Sequence, residues 1–229
     1  MSGKCLDGLK RIPQTSLGEY AVYSQRWSWD GKNIAFTAVE KGKKEDVYVI
    51  GATGGMPRRL TTHPAEDKWP YWSRDGKWIY FASTRTGREE IWKMLYSGGE
   101  PIQITRNSGD TPQESSDGGF LYFMKGWPNS VSVWKVPVDG GAETRVLESV
   151  HGEGQFSVEK HGIYFFRTPN QQDHSDLSFY DFATNRITKI ATVSRSVSNH
   201  IAVSPDERTI LYPEFDESAS DLMLVENFY

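Results

Sequence analysis

Polar side chains that could bind a ligand recur just before five serines spaced almost evenly along the chain. The serines are Ser28, Ser73, Ser115, Ser157 and Ser204. The polar residues before them are Glu19, Tyr20, Asp67, Lys68, Asp110, His151, Glu153, Asn199 and His200. Carboxylates suit Ca²⁺ and imidazole suits transition metals, so a bound cation such as Ca²⁺ is one hypothesis. The spacing follows the serines and not a metal-ligand motif, so the favoured interpretation is a hydrated polar surface with no metal and no cofactor.

The acidic members of this set also raise the hypothesis of glycoside hydrolysis. That reaction needs an acid and a base about 5–9.5 Å apart on either side of the scissile bond. The candidates are Glu19, Asp67, Asp110 and Glu153. A serine hydrolase is disfavoured, because the sequence contains no G-x-S-x-G motif and the serines recur at one repeated position.

Tryptophans form the second group of candidate functional residues. Trp27, Trp72, Trp92 and Trp134 occupy regular positions relative to the serines and are predicted to be core residues. Trp29, Trp69, Trp78 and Trp127 lie outside the most regular positions. Exposed aromatic residues can anchor a protein partner or stack on a sugar, whereas the alternative interpretation is that these four cover the edges of sheets.

The elements that position these residues belong to an internal repeat. The serines are 45, 42, 42 and 47 residues apart, and an aliphatic residue follows each serine by six positions and an aromatic residue by eight. A separation of two places both side chains on one face of a strand. The pairs Asp30-Gly31, Asp75-Gly76 and Asp117-Gly118 predict a tight turn between the serine and that strand.

Each repeat contains four predicted strands, and a period in the low to mid forties is typical of a β-propeller blade. The sequence therefore predicts an all-β, five-bladed β-propeller of four-stranded antiparallel blades, forming a single domain over residues 1–229. The last repeat lacks an outer strand at the C-terminus. Residues 8–14 resemble an outer strand, and we expect them to pair with residues 221–226 and close the ring.

Composition and charge exclude several classes of protein. The 229 residues carry a net charge of −4, which argues against nucleic acid as a partner. One cysteine, Cys5, excludes an intrachain disulfide. No apolar run is long enough for a transmembrane helix, so no membrane association is expected. The N-terminus lacks the apolar segment of a signal peptide, and both a cytoplasmic and a periplasmic location stay open.

The second repeat resembles the WD40-like repeat of TolB-type propellers. The matching residues are Pro70, Trp72, Ser73, Asp75, Gly76, Ile79, Phe81, Ile91, Trp92, Gly98, Gly99, Pro101, Ile104 and Thr105. The C-terminal end is similar to the propeller of bacterial proteins that fuse a winged helix to a TolB-like domain. This resemblance implies a non-catalytic platform that binds a protein partner or a small ligand, in a bacterial sensory, scaffolding or envelope system. The alternative is a glycosidase-like hydrolase with carboxylates at the mouth of the central channel.

Overall fold

The chain folds into strands joined by short turns, because the repeat alternates β-forming aromatic and branched residues with turn residues. The computed structural model describes residues 20–126, 131–151, 156–167, 175–193, 196–197, 201–215 and 220–226. All regular secondary structure in these residues is β-strand. These residues include no helix of the length and apolarity needed to cross a membrane. The predicted all-β class is confirmed.

The described strands form four-stranded antiparallel sheets in chain order. The first sheet contains β1 (Tyr20–Trp27), β2 (Asn33–Glu40), β3 (Glu45–Gly51) and β4 (Arg58–Arg59). The second contains β5 (Asp67–Trp72), β6 (Trp78–Ser83), β7 (Glu90–Leu95) and β8 (Ile102–Gln103). The third contains β9 (Asp110–Glu114), β10 (Phe120–Lys125), β11 (Ser132–Pro137) and β12 (Thr144–Leu147). The fourth contains β13 (Phe156–Val158), β14 (Gly162–Phe166), β15 (Ser175–Asp181) and β16 (Ile187–Val193).

The fifth sheet has a different composition. It contains β17 (Ser196–Val197), β18 (Ala202–Val203), β19 (Thr209–Phe215) and β20 (Ser220–Glu226). Both β17 and β18 pair with one edge of β19, and β20 pairs with the other edge. These two short segments therefore take the place of a single first strand. Residues 8–14, which we expect to complete this sheet, lie outside the described residues.

Successive sheets pack face to face through apolar clusters. One cluster joins the first two sheets through Ala35, Val47, Trp72, Ile79 and Phe81. Further clusters join the second sheet to the third, the third to the fourth, and the fourth to the fifth. The aliphatic and aromatic residues six and eight positions after each serine are all buried, as the repeat predicts. This stacking of twisted sheets is consistent with a propeller.

The outer strands are held by a repeated polar contact. A threonine donates its hydroxyl to a carboxylate at the start of the third strand. The pairs are Thr61 with Asp46 (3.1 Å), Thr105 with Glu90 (2.7 Å) and Thr192 with Asp176 (2.7 Å). The threonine lies just after the outer strand in the first two sheets and near the end of the outer strand in the fourth, so in all three it ties the end of this strand to the third strand.

Trp27 is the tryptophan whose predicted burial is wrong. Trp72, the residue equivalent to it in the second repeat, is 2% exposed, whereas Trp27 is 58% exposed. Trp72 packs on the first sheet, which precedes its own sheet in the chain. Trp27 pairs with Ile34 and so lies on the face of the first sheet that has no preceding sheet in the chain. The other two regular tryptophans, Trp92 and Trp134, are half-buried.

Candidate functional site

Among the residues predicted to line the mouth of the channel, Tyr20, Asp67, Lys68 and Asp110 lie at the beginnings of the first strands of three sheets. Asp67 is completely buried, and the Nη2 atom of Arg85 lies 3.0 Å from each of its carboxylate oxygens. The Arg85 guanidinium also donates to Ser83 and lies 4.7 Å from the centre of the Trp92 ring. Asp67 is thus part of a buried ion pair that joins the start of β5 to the turn between β6 and β7.

Each of the other described members of this set has a contact with a residue outside the set. Tyr20 donates its hydroxyl to Glu40, its partner across the β1–β2 pair. The ammonium group of Lys68 pairs with Glu89 at 2.6 Å. Asp110 is buried and accepts the hydroxyl of Thr111, and the amide of His151 donates to the carbonyl of Phe166. Glu19, Glu153, Asn199 and His200 lie outside the described residues.

These residues do not assemble a metal centre in the described part of the chain. Among the described residues, no group of three or more His, Cys, Asp or Glu side chains is placed to hold a metal ion. A cation at this end of the first strands stays a hypothesis from the sequence.

The five repeated serines have a structural task at the opposite end of the first strands. Each hydroxyl donates to the acidic side chain two residues later, at 2.6–2.7 Å. In four of the repeats the same hydroxyl accepts the amide of the residue five positions later. These two bonds fix the turn between the first and second strands. Since every hydroxyl donates its proton to a carboxylate, the serines are turn residues and not nucleophiles.

These turns surround a cavity of about 630 Å³, which we call the turn-face cavity. Its lining includes one or more residues from the turn of each of the five sheets. The lining residues include Trp29, Arg74, Ser116, Glu159, His161 and Glu207. Each lies one to four positions after an anchor serine. The cavity therefore lies at one end of the first strands, and the predicted channel-mouth residues lie at the other end. A six-residue strand such as β5 spans about 20 Å, so the two ends are well separated.

Trp29 forms one wall of the turn-face cavity. Its side chain is 49% exposed, and the guanidinium carbon of Arg74 lies 3.6 Å from the centre of its ring. The indole nitrogen donates to the carbonyl of Trp72 at 3.4 Å, and the ring meets Tyr71 edge to face. Among the described irregular tryptophans, Trp29 therefore lies at a cavity, which is the position expected of a partner-binding residue.

The remaining irregular tryptophans lie elsewhere. Trp69 is half-buried and contacts Tyr23 edge to face, and Trp78 is half-buried with the Lys93 ammonium 5.0 Å from the centre of its ring. Trp127 lies outside the described residues.

Glu207 provides a carboxylate inside the turn-face cavity at a position where glycine is favoured. It has a φ angle of 55°, and the equivalent residues of the first three repeats are Gly31, Gly76 and Gly118, with φ angles of 70°, 71° and 71°. A non-glycine residue in this left-handed region costs about 1 kcal/mol or more. Its buried carboxylate contacts His161 Nδ1 at 3.2 Å and accepts the hydroxyl of Tyr164 at 3.4 Å.

Glu159 is a second carboxylate in the turn-face cavity. Burial raises its pKa above the ordinary value, and a hydrogen bond from Ser157 partly offsets this rise. The negative charge of Glu207 raises the pKa further, and the positive charge of Arg74 lowers it. The two carboxylates are therefore close enough to repel each other, with Arg74 as a compensating charge.

Glu114 is a third acidic residue near these turns, and the sequence reasoning missed it. It precedes its serine at the position that tryptophan takes in the first two repeats, so it is buried between sheets. Its carboxylate accepts the backbone amide of Arg74 at 2.7 Å. Burial raises the pKa of Glu114 to about 7. An acidic residue at an apolar position of the repeat is the signal that would have identified it.

The raised pKa of Glu114 predicts a pH-dependent stability that a glutamine should remove. Because the folded-state pKa is about 7 against an ordinary 4.5, the folded state holds the proton more tightly. Stability should therefore fall as the pH rises through this window. Between pH 5 and pH 8, urea unfolding should show the natural protein losing on the order of 2–3 kcal/mol more than Glu114→Gln. Equal losses in the two proteins would contradict the assignment.

Comparison with known proteins adds the family to this geometry. The family model of the TolB β-propeller domain matches residues 10–199. The chain belongs to the TolB β-propeller family. The resemblance predicted from the second repeat is thereby confirmed. Within the TolB match lie Trp29, Arg74 and Glu159, whereas Glu207 lies beyond its end.

Two curated relatives match part of this chain and a smaller part of their own length. An uncharacterized protein of Agrobacterium fabrum is 35% identical over 83 residues, covering 36% of this chain and 28% of that protein. The uncharacterized peptidase YuxL of Bacillus subtilis is 31% identical over 96 residues, covering 41% of this chain and 14% of that protein. This TolB-family chain therefore spans less than a third of the curated relatives it matches.

A solved structure supports the fold. TolB from Acinetobacter baumannii superposes with a TM-score of 0.70 and 20% identity, over 90% of this chain and 52% of that one. At this identity the similarity shows the shared TolB-type fold and carries no activity.

Proposed function

We propose that the chain is a non-catalytic recognition platform, a single five-bladed TolB-type propeller that binds a protein partner or ligand at the turn-face cavity. The observation that carries this proposal is that all five sheets contribute a turn residue to one cavity. Trp29 comes from the first sheet and Glu207 from the fifth. Such a cavity, in which an exposed aromatic wall faces several charged side chains, offers a concave surface where a ligand can be both stacked and oriented by polar contacts.

The same cavity supports a closed ring. The first and fifth sheets can both reach it when the chain curves back on itself. Ile34, Phe36 and Ala38 lie on the face of the first sheet that points away from the second, and they are buried. In the proposed ring the fifth sheet covers Ile34, Phe36 and Ala38 on this face and leaves the exposed Trp27 at its edge. Residues 8–14 pair with β20 to complete the fifth blade.

A hydrolase that uses the channel-mouth carboxylates is the weaker proposal. Of its four candidate residues, Asp67 and Asp110 are described, and both are buried. Both oxygens of Asp67 accept hydrogen bonds from Arg85, which leaves the carboxylate without a free oxygen for a substrate. The peptidase relative matches only 14% of its own length, so its activity supports no peptidase function in this chain.

Selection of peptide ligands tests the platform. Peptides selected on the immobilised protein from a random library should bind Trp29→Ala about tenfold or more weakly, because a partly exposed tryptophan at a cavity is a typical binding hot spot. Met56→Ala is the matched control, since Met56 is exposed and lies outside the cavity. Isothermal titration calorimetry measures both affinities. Peptides whose affinity is unchanged by Trp29→Ala would overturn the proposed site.

A further inference from the structure

The turn-face cavity already contains one guanidinium group, that of Arg74. Its carbon lies 3.6 Å from the centre of the Trp29 ring, which is the distance of a stacked cation–π pair. The Arg74 Nε donates to the carbonyl of Ser115 at 3.3 Å, at the long end of hydrogen-bond distances. The Trp29 wall of the cavity therefore accepts a planar cation. The hydrogen bond to Ser115 that holds the Arg74 guanidinium in this place is weak.

Apart from Arg74, the inner charges of the cavity are negative. Glu207 is buried and Glu159 is half-buried, whereas the other ionisable lining residues, Lys160, His161, Asp206 and Arg208, are exposed at the rim. Burial raises the pKa of Glu159, the charge of Glu207 raises it further, and the charge of Arg74 lowers it. A cation that enters the cavity would be attracted by two carboxylates, whereas an anion would be repelled by them.

We propose that the turn-face cavity binds the guanidinium group of an arginine side chain carried by a protein partner, and that Arg74 is the chain's own occupant of that place. This inference rests on the proposed recognition function and names its ligand. The arginine stacks on Trp29 and pairs with Glu159 and Glu207, and Arg74 must leave the indole face when the partner binds. Arg74 therefore weakens binding, although it lies in the binding site.

A guanidinium fits this place better than the other candidate groups. Its planar fork stacks on an indole and presents several donors to carboxylates, which a compact ammonium group does not match. A sugar would need the same face of Trp29 and would bring no positive charge to offset the two carboxylates. Removal of the Arg74 charge should strengthen binding of an arginine, and removal of the Glu207 charge should weaken it. A generic polar pocket would not show these opposite effects.

Matched peptides test the proposal on the full chain. The probes are the capped tripeptides Gly-Arg-Gly and Gly-citrulline-Gly, which differ by the charge and one terminal group of the side chain. Calorimetry should show the arginine peptide binding about tenfold more tightly than the citrulline peptide. Arg74→Gln should tighten the arginine peptide about fivefold or more, and Glu207→Gln should weaken it about tenfold. Lys41→Gln, which removes an exposed cation outside the cavity, is the matched control and should change the affinity about twofold or less.

The outcomes separate this inference from the proposed function. Equal affinities for the arginine and citrulline peptides, or weaker binding by a folded Arg74→Gln, would overturn the arginine site. If library-selected peptides still depended on Trp29, the platform would survive with a different ligand. Should Arg74→Gln fail to fold, Glu207→Gln decides, because glutamine can still accept the Tyr164 hydroxyl, and unchanged affinity in that variant overturns the inference.

Discussion

Replacing Asp67 with alanine should lower the free energy of unfolding by about 3–5 kcal/mol. The carboxylate is completely buried and the Arg85 side chain is 11% exposed, with both carboxylate oxygens bonded to the guanidinium. Alanine would leave the buried guanidinium without its counter-charge, and the uncompensated desolvation is the main part of the loss. Urea unfolding followed by circular dichroism measures it.

The double variant Asp67→Ala with Arg85→Leu is the control for this prediction. Because it removes both charges, it should be more stable than Asp67→Ala alone. A loss below about 1 kcal/mol for Asp67→Ala would contradict the structural role. The expected instability also means that a loss of function in this variant would report unfolding and not a catalytic carboxylate.

Replacing Trp72 with alanine should cost about 3–5 kcal/mol, whereas the same change at Trp27 should cost less than about 1 kcal/mol. Both tryptophans directly precede an anchor serine, but Trp72 is 2% exposed and Trp27 is 58% exposed. Trp72 also donates its indole hydrogen to the carbonyl of Arg26 at 3.1 Å, across the boundary between two sheets. The alanine variant loses this bond and leaves a cavity in the cluster between the sheets.

Thermal and urea unfolding of the two alanine variants measure this difference directly. Trp27→Phe and Trp72→Phe are the controls, since phenylalanine retains much of the apolar contact. If both alanine variants lost the same free energy of unfolding, the contribution of each tryptophan to stability would depend only on its position in the repeat. That result would contradict the exposure of Trp27.

The sequence predicted the repeated part of the fold well. The spacing of the serines located the turns, and the residues six and eight positions later are buried in every repeat. These features follow from local chemistry: a serine with an acidic residue two positions later closes a turn, and a period of two selects one face of a strand. Such signals are present in each repeat and do not depend on its neighbours.

The exposure of Trp27 and most of the candidate site, apart from Trp29, were beyond that reasoning. A tryptophan before the serine is buried only where another sheet packs against its own, and the sequence of one repeat does not say which sheets adjoin it. The cavity lies at the turns, whereas at the strand beginnings, where the sequence predicted a site, Asp67 is buried with an arginine 18 positions later in the chain. Glu114 occupies a position where the other repeats have an apolar residue, and Glu207 occupies one where the first three repeats have glycine. Departures from the repeat therefore indicate function better than the recurring residues do.

The most direct test of the central claim, that this TolB-family propeller binds its partner at the turn-face cavity, is a nuclear magnetic resonance titration of the tryptophan indoles. The Trp29 signal is assigned with Trp29→Phe, and a library-selected peptide is added to the nitrogen-15-labelled protein. The account predicts that the indole signal of Trp29 shifts, while that of Trp78, which lies outside the cavity, stays in place. An unchanged Trp29 signal at saturating peptide would contradict the account.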